Sequence, residues 1–314
     1  MLQQTRMETV IPYFNRWVQS FPTIGDLAAA NDDFVMKHWE GLGYYSRCSN
    51  LLKSARTIVA EHNSEIPRDF ESLTALPGIG SYTAGAVLSI AYDLPYPSLD
   101  GNLKRVLSRL NCFTEAVDTK EASELFSKSC LRLYRHASPR IINQALMDLG
   151  AGICSSASAK CENCPLTSQC LAFKTKLTDS IPLVVKKSKP TELINTYYVY
   201  VHGRKVALKK ISKPHWWAGN YTFPYFFEDH PKGPEVLFIK KPVADEDQME
   251  LMIFSHGVTR YKIQASVKII HLSDTDRINI PGAEWLDTKR LDEVVMPSPC
   301  VKIKNKLISA GIIS

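Results

Sequence analysis

Long apolar runs are missing from this 314-residue chain. None approaches the ~20 residues that a membrane-spanning helix needs. Low-complexity tracts are missing too. With 45% hydrophobic and 22% charged residues the composition is that of a globular protein. A disulfide framework is missing: Cys48, Cys112, Cys130 and Cys300 are scattered without framework spacing, so a reducing compartment is expected. No leader-like segment stands at the start, where Met1 runs directly into polar Gln3, Gln4 and Thr5. The expectation is a soluble cytoplasmic protein, nucleoid-associated in a bacterium, nuclear or mitochondrial in a eukaryote. A strong charge of either sign is also lacking. The net charge of +6 permits a polyanionic partner without demanding one.

What is present is a second set of four cysteines. Cys154, Cys161, Cys164 and Cys170 stand as Cys-x6-Cys-x2-Cys-x5-Cys. Four thiolates in one short segment can wrap a single metal centre. The uneven gaps differ from the paired knuckles of a zinc ribbon. An asymmetric loop fits a cubane iron–sulfur cluster better, and zinc stays open because both take four thiolates.

The length suits about two domains. Residues 1–171 read as helical. Thr23 is a predicted N-cap with Asp26 in the first turn. Asn31 is the next, with Phe34, Val35, His38, Trp39 and Leu42 on one face. Ser138-Pro139 opens another helix, which carries Ile142, Ala145, Leu146 and Leu149 and which Gly150 can end. Residues 172–191 mix Lys174, Lys176, Lys186, Lys187 and Lys189 with Pro182 and Pro190, the composition of an exposed basic linker. Residues 192–314 read as α+β. A strand is predicted over 196–201, turning at His202-Gly203 into 205–208. Further strands are predicted over 236–239 and 266–271, and a helix over 301–310.

Two short motifs carry chemistry. Leu76-Pro77-Gly78-Ile79-Gly80 lies between helical stretches 70–75 and 82–91. Two glycines one residue apart let the backbone come close to something bulky, and the N–H groups entering the second helix favour an anion. This is a helix–hairpin–helix signal for one DNA phosphate, the plain alternative being a tight turn between packed helices. Asp100 follows in Leu99-Asp100-Gly101-Asn102. Such a cluster is ordinarily a turn or an N-cap. Its place just beyond the hairpin, with Lys104, Arg105 and Arg109 at helical spacing after it, suits a carboxylate that stabilises a sugar cation.

Together the hairpin, the aspartate and the four-cysteine loop resemble the endonuclease III superfamily of DNA glycosylases. Within it the chain is similar to the MutY family, adenine glycosylases acting opposite 8-oxoguanine. The resemblance is carried also by Met1-Leu2-Gln3-Gln4-Thr5, Gly41-Leu42-Gly43-Tyr44-Tyr45, and the run from Asn143 to Gly150. Tyr82 stands where the glycosylase/lyase branch has a lysine that forms a Schiff base, which a phenol cannot do. The resemblance therefore implies a monofunctional glycosylase.

It further implies a C-terminal Nudix-like domain that reads 8-oxoguanine. Phe254-Ser255-His256 resembles its recognition loop, and no Arg-Glu-x-x-Glu-Glu box is present for hydrolysis. Gln4, Leu42 and Tyr44 would wedge into the duplex around the oxidised guanine, and Thr5 would contact it. Gln144 would hold the extruded adenine. Asp100 would stabilise the sugar cation, with Tyr82 and Asn102 beside it. Gly78 and Gly80 would anchor phosphate, and Ser255 would distinguish 8-oxoguanine from guanine. The implied partner is double-stranded DNA with A·8-oxoguanine or A·G mispairs, bound by a monomer. The implied cofactor is one 4Fe-4S cluster on Cys154, Cys161, Cys164 and Cys170, with zinc the alternative.

One departure stands out. The family motif is Glu-x-Met-Leu-Gln-Gln-Thr, whose glutamate protonates the leaving adenine. This chain begins at the methionine of that motif. Asp100 is needed ionised and cannot easily serve as that acid as well. As written, severely impaired excision with surviving lesion binding is the expectation, and an upstream Glu-Val extension should restore activity. Two other readings stay open: a non-catalytic lesion-binding protein and an endonuclease III-type glycosylase/lyase.

Overall fold

The computed structural model describes residues 1–3, 5–183, 190–212, 215–228, 249–272, 280 and 282–313. Gln4, Lys186, Lys187, Lys189 and the strand predicted at 236–239 lie outside the described residues. By contact the chain forms two compact units. One is Met1–Leu52 with Ser188–Ser314, the other Lys53–Lys187.

The amino-terminal helices are α1 (Met7–Ser20), α2 (Ile24–Ala29), α3 (Asp32–Trp39) and α4 (Tyr45–Glu61). Thr23 caps α2 in a full capping box with Asp26, and Asn31 caps α3, as their residue types predict. The predicted α3 face is only partly buried. Val35 and Trp39 are in the core, whereas Phe34 is exposed and rests on His38 at 4.5 Å between ring centres. Leu42 is buried but lies beyond the end of α3.

Within Lys53–Lys187 the elements are α5 (Phe70–Ala75), α6 (Ser81–Ala86), a π-helix (Val87–Ala91), α7 (Gly101–Leu110), α8 (Lys120–Leu133), α9 (Pro139–Gly152) and α10 (Leu171–Lys174). The second hairpin helix thus widens after Ala86. Leu103, Val106 and Leu107 of α7, Ala122, Phe126 and Cys130 of α8, and Leu146 and Leu149 of α9 form one core. Gly150 does not end α9. It lies where α9 crosses α7, and a Cβ there would come within 2.7 Å of Asn102 Cβ. The helix continues to Gly152.

The strands are β1 (Thr191–His202), β2 (Lys205–Lys210), β3 (Tyr221–Thr222), β4 (Tyr225–Phe227), β5 (Met249–Val258), β6 (Tyr261–His271) and β7 (Glu284–Asp287), followed by α11 (Ser298–Ser309). The sheet order is β3-β2-β1-β6-β5, with β4 on β1 and β7 on β2. β1 runs parallel to β6 from Thr191↔Tyr261 to Val201↔His271. The predicted turn pairs His202 with Lys205, and Gly203 takes the positive φ of +54° that such a turn demands. α11 starts three residues earlier than predicted, because Pro299 suits a first turn where its missing N–H is not needed. Cys300, Ile303 and Leu307 of α11 close the core over Tyr197, Val199, Ile263 and Val267.

Candidate functional site

The hairpin folds as its punctuation predicts. α5 ends at Ala75, Gly78 takes φ +76°, and Gly80 is the N-cap of α6. Ser54 Oγ donates to Pro77 O at 2.8 Å and fixes the turn. No side chain caps α6. Gly80 has φ −90°, which any residue adopts, and a Cβ there would meet open space. Among the described residues nothing therefore crowds a side chain at position 80.

Asp100 is the N-cap of α7, its Oδ1 accepting from Leu103 N at 2.7 Å. The bland and the functional expectations meet in one residue, since the cap holds the carboxylate at a fixed helix end. Tyr82, on α6, is raised above the usual tyrosine range by burial and by the negative charge of Asp100. Asn102 Oδ1 accepts from Arg105 Nη2 at 2.8 Å, and the same Arg105 donates to Gly150 O and Cys154 O. Gln144 lies exposed on α9, donating only weakly to Arg140 O at 3.3 Å. Its neighbour Asn143 is fully buried. It donates to Ser89 Oγ at 2.7 Å and to Tyr96 O at 3.1 Å, and accepts from Tyr134 Oη at 2.8 Å. α9 is thereby locked to the π-helix.

Cys154, Cys161, Cys164 and Cys170 line one small cavity with Arg109, Lys160 and Thr167. The Cys161 thiol is raised by burial and then by the negative charges of Cys154, Cys170 and Cys164. A cation seated among four such groups would replace that repulsion by attraction. Among the described residues no three His, Cys, Asp or Glu side chains stand at the spacing of a single metal ion. Arg109 braces the loop: Nε donates to Ile181 O at 2.8 Å, and Nη1 to Ser155 O at 2.8 Å and Cys154 Sγ at 3.2 Å. The sequence showed Arg109 as one charge at helical spacing. Its near-complete burial on α7 was not legible there.

The other unit holds a groove of about 900 Å3. Leu42, Gly43 and Tyr44 stand on one wall, Phe254, Ser255 and His256 on another. These last three lie within β5, opposite Ala265, Gln264 and Ile263, and so belong to a strand and not to a loop. Both ring nitrogens of His256 are buried without a hydrogen-bond partner. Burial, aided by the positive charge of Lys302, lowers the His256 pKa to about 4. Lys302 Nζ lies 4.7 Å over the Phe254 ring. Tyr44 projects into solvent with φ +48°. Arg47 sits over its ring at 5.1 Å and donates to Met1 O, Gln3 O and Thr5 Oγ1. Arg47 thus ties Thr5 to Tyr44, a link that no sequence signal marked.

Residues 1–132 match the family model described as HhH-GPD superfamily base excision DNA repair protein. The chain is 31% identical over 309 residues to the adenine DNA glycosylase of Buchnera aphidicola subsp. Schizaphis graminum (strain Sg), covering 96% of this chain and 88% of that one. The chain belongs to the adenine DNA glycosylase family. As a member, it is a DNA N-glycosylase of base excision repair. The human adenine DNA glycosylase is 42% identical over 177 residues, which cover 55% of this chain and 32% of the human one. Among solved structures, a thermostable thymine-DNA glycosylase shares the fold at a TM-score of 0.51 and 23% identity, over 55% of this chain and 80% of its own. The glycosylase described here combines a helical hairpin-bearing part with an α+β sheet domain. No helix among its described residues is long and apolar enough to cross a membrane.

Proposed function

We propose that this glycosylase removes adenine paired with 8-oxoguanine or guanine in double-stranded DNA, without lyase action. The groove of the first unit carries the reading. Leu42 and Tyr44, from one end of the sequence, line it together with Phe254, Ser255 and His256 from the other. Apolar wedge residues lining one groove with the polar Ser255 and His256 suit a base held at a distorted duplex. In this reading Gln4, Leu42 and Tyr44 wedge beside the oxidised guanine, Thr5 contacts it, and Ser255 reads its added N–H. Residues 1–171 are the glycosylase domain, 172–191 a basic linker, and 192–314 a Nudix-like recognition domain. This functional division cuts across the two compact units.

At the reacting end, Gln144 holds the extruded adenine. As the N-glycosidic bond breaks, its electrons leave with the base and positive charge develops on the sugar. Asp100, fixed by Leu103 N–H, faces that charge. Tyr82 and Asn102 flank it, and water then adds at the sugar carbon and loses a proton. That proton balances the one the departing adenine takes up, which in the family the motif's glutamate supplies. Gly78 and Gly80 receive a phosphate. The open space around Gly80 supports this, since a partner could approach the backbone there. Cys154, Cys161, Cys164 and Cys170 hold the 4Fe-4S cluster, to which their shared cavity and all-thiolate donor set are suited. Bound there, such a group would cross-link the loop from Cys154 to Cys170 and so serve structure.

Single-turnover excision on an A·8-oxoguanine duplex tests the reading, with the 314-residue chain and the same chain preceded by Glu-Val run side by side. Release of adenine without a borohydride-trapped adduct is expected from the chain preceded by Glu-Val, with much slower release from the 314-residue chain. A strong covalent adduct on an oxidised-pyrimidine duplex would overturn it in favour of a lyase.

A further inference from the structure

α3 ends at Trp39 and the chain turns back before α4 begins at Tyr45. Three side chains flanking this turn reach one short stretch near the start of α11. Lys37 Nζ donates to Val294 O at 2.9 Å. Glu40 Oε1 accepts from Met296 N at 2.8 Å. Tyr45 Oη donates to Met296 O at 2.9 Å, and accepts from Gly41 N at 3.3 Å. Lys37 and Glu40 are themselves paired at 2.6 Å. Between these anchors, Val295 O accepts from Tyr221 N at 2.7 Å, which ties the stretch to β3.

The anchored turn is the tip that carries Leu42 and Tyr44. Its backbone is unusual: Gly41 has φ +95°, Gly43 +70° and Tyr44 +48°. A Cβ on Gly41 would collide with the Tyr13 hydroxyl. A tip so bent needs outside support to hold one shape. The stretch it grips leads through Pro297 into Ser298, Pro299 and Lys302, which line the same groove as Ser255 and His256. The tip and this stretch come from segments more than two hundred residues apart, and these hydrogen bonds join them.

We propose that Glu40 and Tyr45 are positioning residues that fix the separation of the groove walls, and through it the discrimination of 8-oxoguanine from guanine. The inference rests on the 8-oxoguanine reading proposed above. The two bases differ at one oxygen and one N–H. A hydrogen bond that reads so small a difference fades over a few tenths of an ångström. A misplacement of about 1 Å costs as much as a hundredfold in a positioned site. The Tyr45 phenol is well suited to the task, since its burial raises its pKa and keeps it a donor.

The test is fluorescence anisotropy with two duplexes that differ only in 8-oxoguanine or guanine opposite a non-cleavable 2′-fluoro adenosine. The readout is the ratio of the two Kd values. Tyr45→Phe and Glu40→Ala should each lose about tenfold in that ratio, the worth of one well-placed hydrogen bond. Binding to the guanine duplex should hold within about twofold, because one hydrogen bond outside a contact with DNA leaves the phosphate term untouched. Glu40→Gln, which keeps the acceptor, should restore most of the ratio. Lys37→Met is the second variant if Tyr45→Phe folds poorly, and should shift the ratio in the same direction. An unchanged ratio in the folded variants, or an equal loss on both duplexes, overturns the inference alone. A wild-type ratio of one overturns the 8-oxoguanine reading and the inference with it.

Discussion

A β-carbon on Gly150 would come within 2.7 Å of Asn102 Cβ and 3.2 Å of Asn102 Cα. The two helices that frame Asp100 and Gln144 therefore touch backbone to backbone. Gly150→Ala must push α7 away from α9. It should cost about 1–3 kcal/mol by overpacking, read by denaturant unfolding. The single-turnover excision rate should fall as well, since the displaced end of α7 is the one Asp100 caps.

Gly80→Ala should do the reverse. The position has ordinary φ and open space. Alanine there should leave stability unchanged or raise it by about 0.4–1 kcal/mol, by restricting the unfolded chain. If the hairpin receives a phosphate as proposed, affinity for undamaged duplex should nevertheless drop, because the new methyl would stand in its way. A melting temperature and a binding isotherm on the same sample settle it. Unchanged affinity would argue that the hairpin is only a turn.

Arg109 is a buried cation whose partners are two carbonyls and the Cys154 sulfur. Arg109→Met keeps much of its volume and removes every donor. Stability should fall by about 1–3 kcal/mol for each carbonyl left without its donor, measured by chemical denaturation. The visible absorption expected of an iron–sulfur protein should weaken in the same variant. A colourless wild-type protein holding zinc would count against the cluster.

His256 makes stability depend on pH. Its folded pKa is lowered to about 4 from 6.5, first by burial and then by Lys302. The unfolded chain therefore binds the proton more readily between these values. Stability contributed by neutral His256 is present above pH 6.5, shrinks as pH falls, and is lost below about 4. The full effect is roughly 3 kcal/mol. Compared from pH 7 to 4, the wild type should lose roughly 3 kcal/mol of unfolding free energy relative to His256→Gln.

Local chemistry in this chain was legible from sequence, and long-range approach was not. Thr23, Asn31 and the Pro77–Gly80 punctuation act on their own neighbours, so α2, α3 and the hairpin stand where their residues indicate. Gly150 misled because its reason is a second helix, and glycine at a crossing reads the same as glycine at a terminus. Phe254–His256 sit in a strand whose identity depends on pairing with β6. The candidate groove was legible as two motifs. Its supports were not, since Glu40, Tyr45 and Arg47 are ordinary surface types whose partners lie elsewhere in the chain. Arg109 was seen as a charge and is in fact a brace.

The pairing of β1 with β6 has a consequence for synthesis. Thr191 finds its partner only when Tyr261 has been made, and the unit that contains both also takes in Met1–Leu52. Contacts so distant in sequence form slowly. Lys53–Lys187 can close while the rest of the chain is still being translated, as domains completed early generally do. Met1–Leu52 are made before Lys53–Lys187 and complete their unit only once the segment after Ser188 has followed. During that interval Met7, Ile11 and Phe14 of α1, which stay exposed even in the finished fold, are available to chaperones.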